Sequence, residues 1–302
     1  MKVIDGTSFP LFLDDKDENP YFCPRIATWI RKHTFVVSTH HLHRVKSQIQ
    51  ISIWFPSNFG SIAKNAQRIV TYAKLCVDTI YALSHSKPPL TLDLILVLTP
   101  LTKKVTFEVG KSTEISPCEM NSGQTEFFTN KHCKILIWRQ EDFHKVLIHE
   151  LLHACEWDRL VPSVVRHNST THTHHAEALV EAQANLLYTQ LITKFDGTHD
   201  EKILRHQETL HMWYQAWVLS HTQWTSPHTH TYEYCILKAA LLFCSECRAL
   251  FQTFLDGSGA FPLPWDSLVS QCLNRLRLSF PSHFKMPATL SLKLTTRDFV
   301  FI

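Results

Sequence analysis

Glycine is scarce in this chain: seven residues in 302, too few for flexible linkers between mobile domains. No apolar run reaches the roughly 18–20 uncharged residues that a membrane-spanning helix needs. Residues 1–20 carry a Pro-flanked apolar patch followed by Asp14-Asp15-Lys16-Asp17-Glu18. That is not the basic-then-apolar order of a secretory leader. An excess of charge of one sign is lacking as well. Thirty basic against 27 acidic residues give a formal net charge of +3, which leaves no electrostatic footprint for nucleic acid. Internal repeats and low-complexity tracts do not occur. The expectation is a cytoplasmic or nuclear protein with neither a membrane nor a nucleic-acid partner.

What is present is an ordinary globular composition, 44% hydrophobic and 19% charged. At 35.0 kDa the chain can build one large core or two packed lobes. Its nine cysteines are odd in number and irregular in spacing. Cys76, Cys155, Cys235 and Cys244 fall within helical apolar patterns, which reads as buried, reduced thiols. Cys244-Ser-Glu-Cys247 is a lone CxxC with no second pair at zinc-ribbon spacing. The sequon Asn168-Ser169-Thr170 carries no weight without secretion.

The order of elements follows from periodicity. Ile49, Ile51, Ile53 and Phe55 alternate with polar residues over Gln48–Phe55, a half-buried strand. Residues 58–84 read as a helix, with Ile62, Ala66, Ile69, Ala73, Cys76 and Ile80 near a 3.6 period. Leu90–Leu98 is an apolar strand stopped by Pro100, and Val105–Val109 is a weaker extended segment. A loop, Pro117–Gln124, contains Asn121-Ser122-Gly123. Cys133–Trp138 is a further strand, followed at once by a helix over Glu141–Trp157. After a loop-like stretch, Asp158–Thr173, the chain reads as helices over His174–Phe195, Asp200–Ser220, Tyr232–Leu255 and Asp266–Leu278. Gly197 and Gly257 stand as C-terminal stops, and Phe284–Ile302 returns to extended character. The expected domains are an N-terminal extension (1–45), an α+β lobe with a mixed sheet and the 141–157 helix (46–157), and a mainly helical lobe (158–302).

The chemistry sits on the 141–157 helix. His149-Glu150-Leu151-Leu152-His153 is an HExxH motif, and chance alone would give only about 0.06 such matches in a chain this rich in histidine. Residues four apart share one helical face, so both imidazoles can meet a single Zn²⁺. Glu150, beside the first of them, can take a proton from a metal-bound water. Val146, Leu147, Ile148, Leu151, Leu152 and Ala154 make this a core helix, on which two His and a Glu are costly without partners. Glu141 and Asp142 are expected in its first turn, where carboxylates suit the helix dipole.

A catalytic zinc needs a third protein ligand and an open position. A third His six residues after His153 is excluded, because that position is Arg159. The remaining sources are His167, His172, His174 or His175, and the pair Glu177 and Glu181 on one face of the next helix. Of the glutamates, one could bind metal while the other orients an imidazole.

HExxH followed by Glu177-xxx-Glu181-Ala resembles the gluzincin branch of zinc metallopeptidases, and the E-x-x-x-E-A form is similar to that of lethal-factor-like and clostridial-toxin-like peptidases. The resemblance covers roughly residues 90–195. It implies a zincin-like fold, one Zn²⁺ held by His149, His153 and Glu177, Glu150 as general base, Glu181 supporting a motif histidine, and a protein or peptide substrate. Thermolysin-like members more often have Asp at the position of Glu181, which leaves the two glutamates open to exchange. The Asn121-Ser122-Gly123 loop, strand and motif in that order are also similar to peptidases of large DNA viruses, a likeness with no further residues to carry it.

Hydrolysis by such a site needs a donor for the developing oxyanion. His228, His230 and Tyr232 are the candidates, with His221 and Tyr234 in the same cluster. The strand Cys133–Trp138 has two readings: an open edge that accepts an extended peptide by β-augmentation, or a buried central strand. Two other functions remain compatible with the motif, a non-catalytic zinc-stabilised binding module and a zinc hydrolase of a non-peptide amide.

Overall fold

A computed structural model describes residues 1–8, 22–44, 47–84, 88–108, 111–129, 131–157, 172–197, 200–226, 229–243, 289–293 and 295. The protein is α+β, with a mixed sheet and helices. It divides into two compact units. The first comprises the described residues of Met1–Lys103 and Ser116–Cys155; the second comprises those of Lys104–Ile115 and Glu156–Thr296. Among the described residues no helix is long and apolar enough to cross a membrane.

In chain order, the first unit begins with β1 (Lys2–Asp5), α1 (Pro24–Arg31), β2 (Thr34–Arg44), β3 (Ser47–Pro56), α2 (Ile62–Leu83) and β4 (Thr91–Thr99). The short strands β5 (Lys104–Thr106) and β6 (Thr113–Glu114) belong to the second unit. The first unit then resumes with α3 (Pro117–Met120), β7 (Gly123–Thr129), β8 (His132–Arg139) and α4 (Phe143–Ala154). Its six-stranded sheet has the order β1-β2-β3-β4-β8-β7. β3, β4 and β8 are parallel; β1, β2 and β7 run antiparallel to their neighbours.

The alternation read in β3 is realised: Ile49, Ile51, Ile53 and Phe55 are buried, together with Leu92, Leu94 and Leu96 of β4 and Ile135 and Ile137 of β8. On α2, Ala66, Ile69, Ala73, Cys76 and Ile80 form the buried stripe. This helix starts at Ile62 rather than at 58, because Ser61 is held in the left-handed region at φ 51°, outside helical backbone. The opposite sheet face carries a second core, in which Cys23, Ile26 and Ile30 of α1 cluster with Phe35, Trp54, Val97, Leu136 and Trp138.

Three sequence expectations bear on this sheet and its second core. Within the expected N-terminal extension 1–45, β1, α1 and β2 build one side of the sheet and its second core. Their polar histidine-rich stretch, Ser38–Arg44, conceals the strand period. Of its two readings, the strand over 133–138 takes the buried central one, between β4 and β7. The edge beside it is β7, whose polar residues gave no apolar alternation to read. Finally, a disulfide joins Cys23 to Cys118, so the chain is not wholly reduced. Cys76, Cys133, Cys155 and Cys235 are free and buried, as read for the three of them named above. Cys244 and Cys247 lie outside the described residues.

The second unit holds α5 (His172–Asp196), α6 (Glu201–Ser220), β9 (Trp224–Thr225), a π-helical turn (Tyr232–Leu237), α7 (Lys238–Phe243) and β10 (Thr289–Ser291). α5 ends where Gly197 adopts φ 65° and its N–H bonds Thr193 O at 2.9 Å, a stop that suits glycine. Asp200 caps α6 by accepting from Lys202 N. β10 pairs antiparallel with β5, and β9 parallel with β6. Gln215 on α6 donates to Ser291 O and Lys293 O, which secures β10. The expected helix 266–278, Gly257, and residues 244–255, 284–288, 294 and 296–302 lie outside the described residues.

Candidate metal centre

The motif helix α4 is shorter than the 141–157 span read from sequence. Asp142 is its N-cap, at φ 59° and without a side-chain cap bond. Glu141 and Asp142 therefore stand before the helix, not in its first turn, and belong to a buried charge cluster. Glu141 accepts from Lys103 N, and Asp142 Oδ2 lies 3.3 Å from Lys103 Nζ, with both of those side chains fully buried. Beside them Arg139 donates to Asn121 O, Leu101 O and Cys118 O. Burial pulls the Arg139 guanidinium down to about 10, and Lys103 is also lowered by desolvation, against the pull of Asp142 and Glu141. Removing one partner from such a cluster would leave a buried charge uncompensated. The cluster fixes where α4 starts.

Nearly two turns further along, His149 and Glu150 are buried and His153 is half-buried. His149 Nε2 and His153 Nε2 face each other at 3.0 Å, with ring centroids 4.7 Å apart. Two nitrogens on one tetrahedral zinc, each about 2.0–2.1 Å from it, stand about 3.3 Å apart. The pair is within a few tenths of an ångström of that spacing, so the residues fit a shared ion.

Glu150 is held from the edge strand. Thr125 Oγ1 on β7 donates to Glu150 Oε2 at 2.7 Å and lies 3.1 Å from Glu150 O. Gly123, the first residue of β7, lies flush against the same side chain. A Cβ there would stand 2.7 Å from Glu150 Oε1 and 2.8 Å from Val146 Cγ1. Neither Thr125 nor Gly123 was singled out as a functional residue from the sequence. The sequence signal was Gly123 itself, one of seven glycines, in the Asn121-Ser122-Gly123 loop. Beneath the motif, burial pushes the Cys133 thiol up to about 12, with Cys155 and Glu150 adding to the shift, so it stays protonated and is a poor metal ligand.

In the second unit Glu177 and Glu181 lie one turn apart on α5, as the motif spacing required. Their environments differ. Glu181 is fully buried, and its Oε1 accepts from the buried Lys238 Nζ at 3.0 Å. Glu177 is half-buried, and its Oε1 accepts from the Tyr234 hydroxyl at 2.9 Å.

His230 Nδ1 lies 3.9 Å from Glu233 Oε2, and its ring lies 5.9 Å from that of Tyr234. Tyr232 is exposed. His221 is the C-cap of α6, with Nδ1 2.9 Å from Trp217 O. His228, His167 and the side chains of His172, His174 and His175 lie outside the described residues.

Comparison of the chain with family models, with curated proteins and with solved structures finds no match.

Proposed function

We propose that this protein is a zinc-dependent metallopeptidase of zincin-like, gluzincin type, in which His149, His153 and Glu177 hold one Zn²⁺ and Glu150 is the general base. The observation that carries this reading is the pair of Nε2 atoms at 3.0 Å on a buried helix, with a buried carboxylate between them in sequence. Two imidazoles and a glutamate, at the spacing of the HExxH motif and the helix that follows it, are donors of the kind that can hold a metal ion. Glu177 is favoured over Glu181 because Glu181 forms an internal ion pair with Lys238. Drawing it away would strand a buried ammonium, at a cost of roughly 3–5 kcal/mol.

A zinc ion held there supplies Lewis acidity and lowers the pKa of water towards about 7. The chain's residues do the rest. Thr125 holds the Glu150 carboxylate through Oε2, which leaves it oriented to take a proton from the attacking water and return it to the leaving amine. Burial keeps bulk water from competing for that proton. β7 is the edge of the sheet beside α4, so an extended peptide adding as the next strand would run along the residue that holds the base. This supports a peptide over a compact non-peptide amide. For oxyanion donation the candidates are those of the sequence, His228, His230 and Tyr232.

The test is metal analysis of the purified protein together with cleavage of a mixed peptide library. One zinc per chain and cleavage are expected. Glu150→Gln keeps the zinc and loses about 10²–10⁴-fold in kcat. A wild-type protein that takes up no zinc, or a Glu150→Gln variant that cleaves unchanged, overturns the proposal.

A further inference from the structure

Glu177 and Glu181 are each met by one residue from the segment that follows β9, and the two contacts form a ladder. Tyr234 Oη donates to Glu177 Oε1 at 2.9 Å, and Lys238 Nζ donates to Glu181 Oε1 at 3.0 Å. Each rung advances by four residues on both elements, so α5 and the Tyr232–Phe243 segment are locked in one register. The rungs are not equivalent. The Lys238–Glu181 rung is fully buried, as expected of an internal ion pair that fixes packing. The Tyr234–Glu177 rung is half-buried at both ends, and it joins two uncharged-to-charged partners whose removal leaves no stranded cation.

Tyr234 also sits in a π-helical turn, Tyr232–Leu237. Such turns are rare, and they recur where a side chain must be set off the α-helical register at a functional position. The His230 ring lies against Tyr234, with centroids 5.9 Å apart at 65°.

We infer that Tyr234 is a positioning residue for the metal centre: its hydroxyl, donated to Glu177 Oε1, sets the orientation in which Glu177 presents its carboxylate to the ion. This rests on the reading of Glu177 as third ligand. A hydrogen bond to a ligating group restricts its rotation and so reduces the ordering cost of coordination. The residue acts through Glu177 and touches no reacting atom.

The experiment is a zinc-affinity double-mutant cycle on the full chain, read by competition with a chromogenic chelator, with thermal melting of the metal-free proteins alongside. Tyr234→Phe raises the zinc dissociation constant about 10- to 100-fold. In a Glu177→Ala background the same change does nothing further, because the group it acts through is gone. Tyr234→His, which keeps a ring and an N–H donor, binds zinc more tightly than Tyr234→Phe and guards against a folding defect of the phenylalanine variant. Tyr234→Phe with wild-type zinc affinity overturns the inference while leaving the metal site standing. So does an equal loss in the presence and absence of Glu177, which would mark a purely structural rung. If the wild-type chain binds no zinc, the proposed function itself fails and the inference falls with it.

Discussion

Replacing Gly123 by alanine tests the packing on which the proposed base depends. The new Cβ would lie 2.7 Å from Glu150 Oε1, 2.8 Å from Val146 Cγ1 and 3.0 Å from Glu150 Cγ, where ordinary contact begins at 3.4 Å. Relief of about 0.7 Å is needed, and all three atoms belong to α4. Two of them are on one buried side chain that Thr125 already holds, so the carboxylate cannot swing away without losing that bond. β7 is an edge strand and can yield outward, which limits the damage. Overpacking of this kind costs about 1–3 kcal/mol, a fall in melting temperature of roughly 2–10 °C. A displacement of the carboxylate by a good fraction of an ångström lowers kcat/KM by roughly 10- to 100-fold, while zinc affinity stays within a few-fold of wild type. Gly60→Ala is the control, because a Cβ there meets nothing within 4 Å. The assays are thermal melting, zinc titration and peptide cleavage on the two variants side by side. If Gly123→Ala melts and cleaves like Gly60→Ala, β7 is not pressed against Glu150 and the argument fails.

Three further outcomes follow from the same geometry. Glu177→Ala lowers zinc occupancy more than Glu181→Ala does, whereas Glu181→Ala lowers the melting temperature more, because it strands the buried Lys238; zinc titration and melting show whether the two effects are reversed. Opening the Cys23–Cys118 disulfide, which closes a span of 95 residues, with the Cys23→Ala/Cys118→Ala pair costs about 5 kcal/mol in the chain-entropy account. Denaturant unfolding with unchanged midpoint would refute it. Burial lowers His144 to about 3, so between that value and about 6.5 the unfolded chain binds a proton that the folded chain refuses. Stability then falls as pH falls through this window, by about 1.4 kcal/mol per unit from this group. A His144→Gln variant shows a correspondingly flatter dependence in unfolding measured from pH 7 to 4, and identical slopes would contradict the assignment.

Local periodicity was enough to read the elements whose apolar residues repeat cleanly. β3, β4, β8, α2 and α4 are all legible because one face of each meets a core, and burial selects the residue types on that face. The HExxH spacing was legible for the same reason, since four residues make one helical turn wherever the helix lies. β2 and β7 were not legible. Ser38–Arg44 and Gly123–Thr129 are polar or aromatic on half-exposed strands, and such strands are specified by their neighbours rather than by their own pattern.

The sequence by itself determined that two histidines and a glutamate share one turn of a core helix, and that two more glutamates share a face of the next, because helical geometry is local. Only the tertiary structure decided what each of these groups touches. Thr125 and Gly123 meet Glu150 through strand pairing between distant segments, and Lys238 meets Glu181. Hydrogen bonds and close contacts across 25 or 57 residues depend on how the elements pack, and no spacing along the chain encodes them.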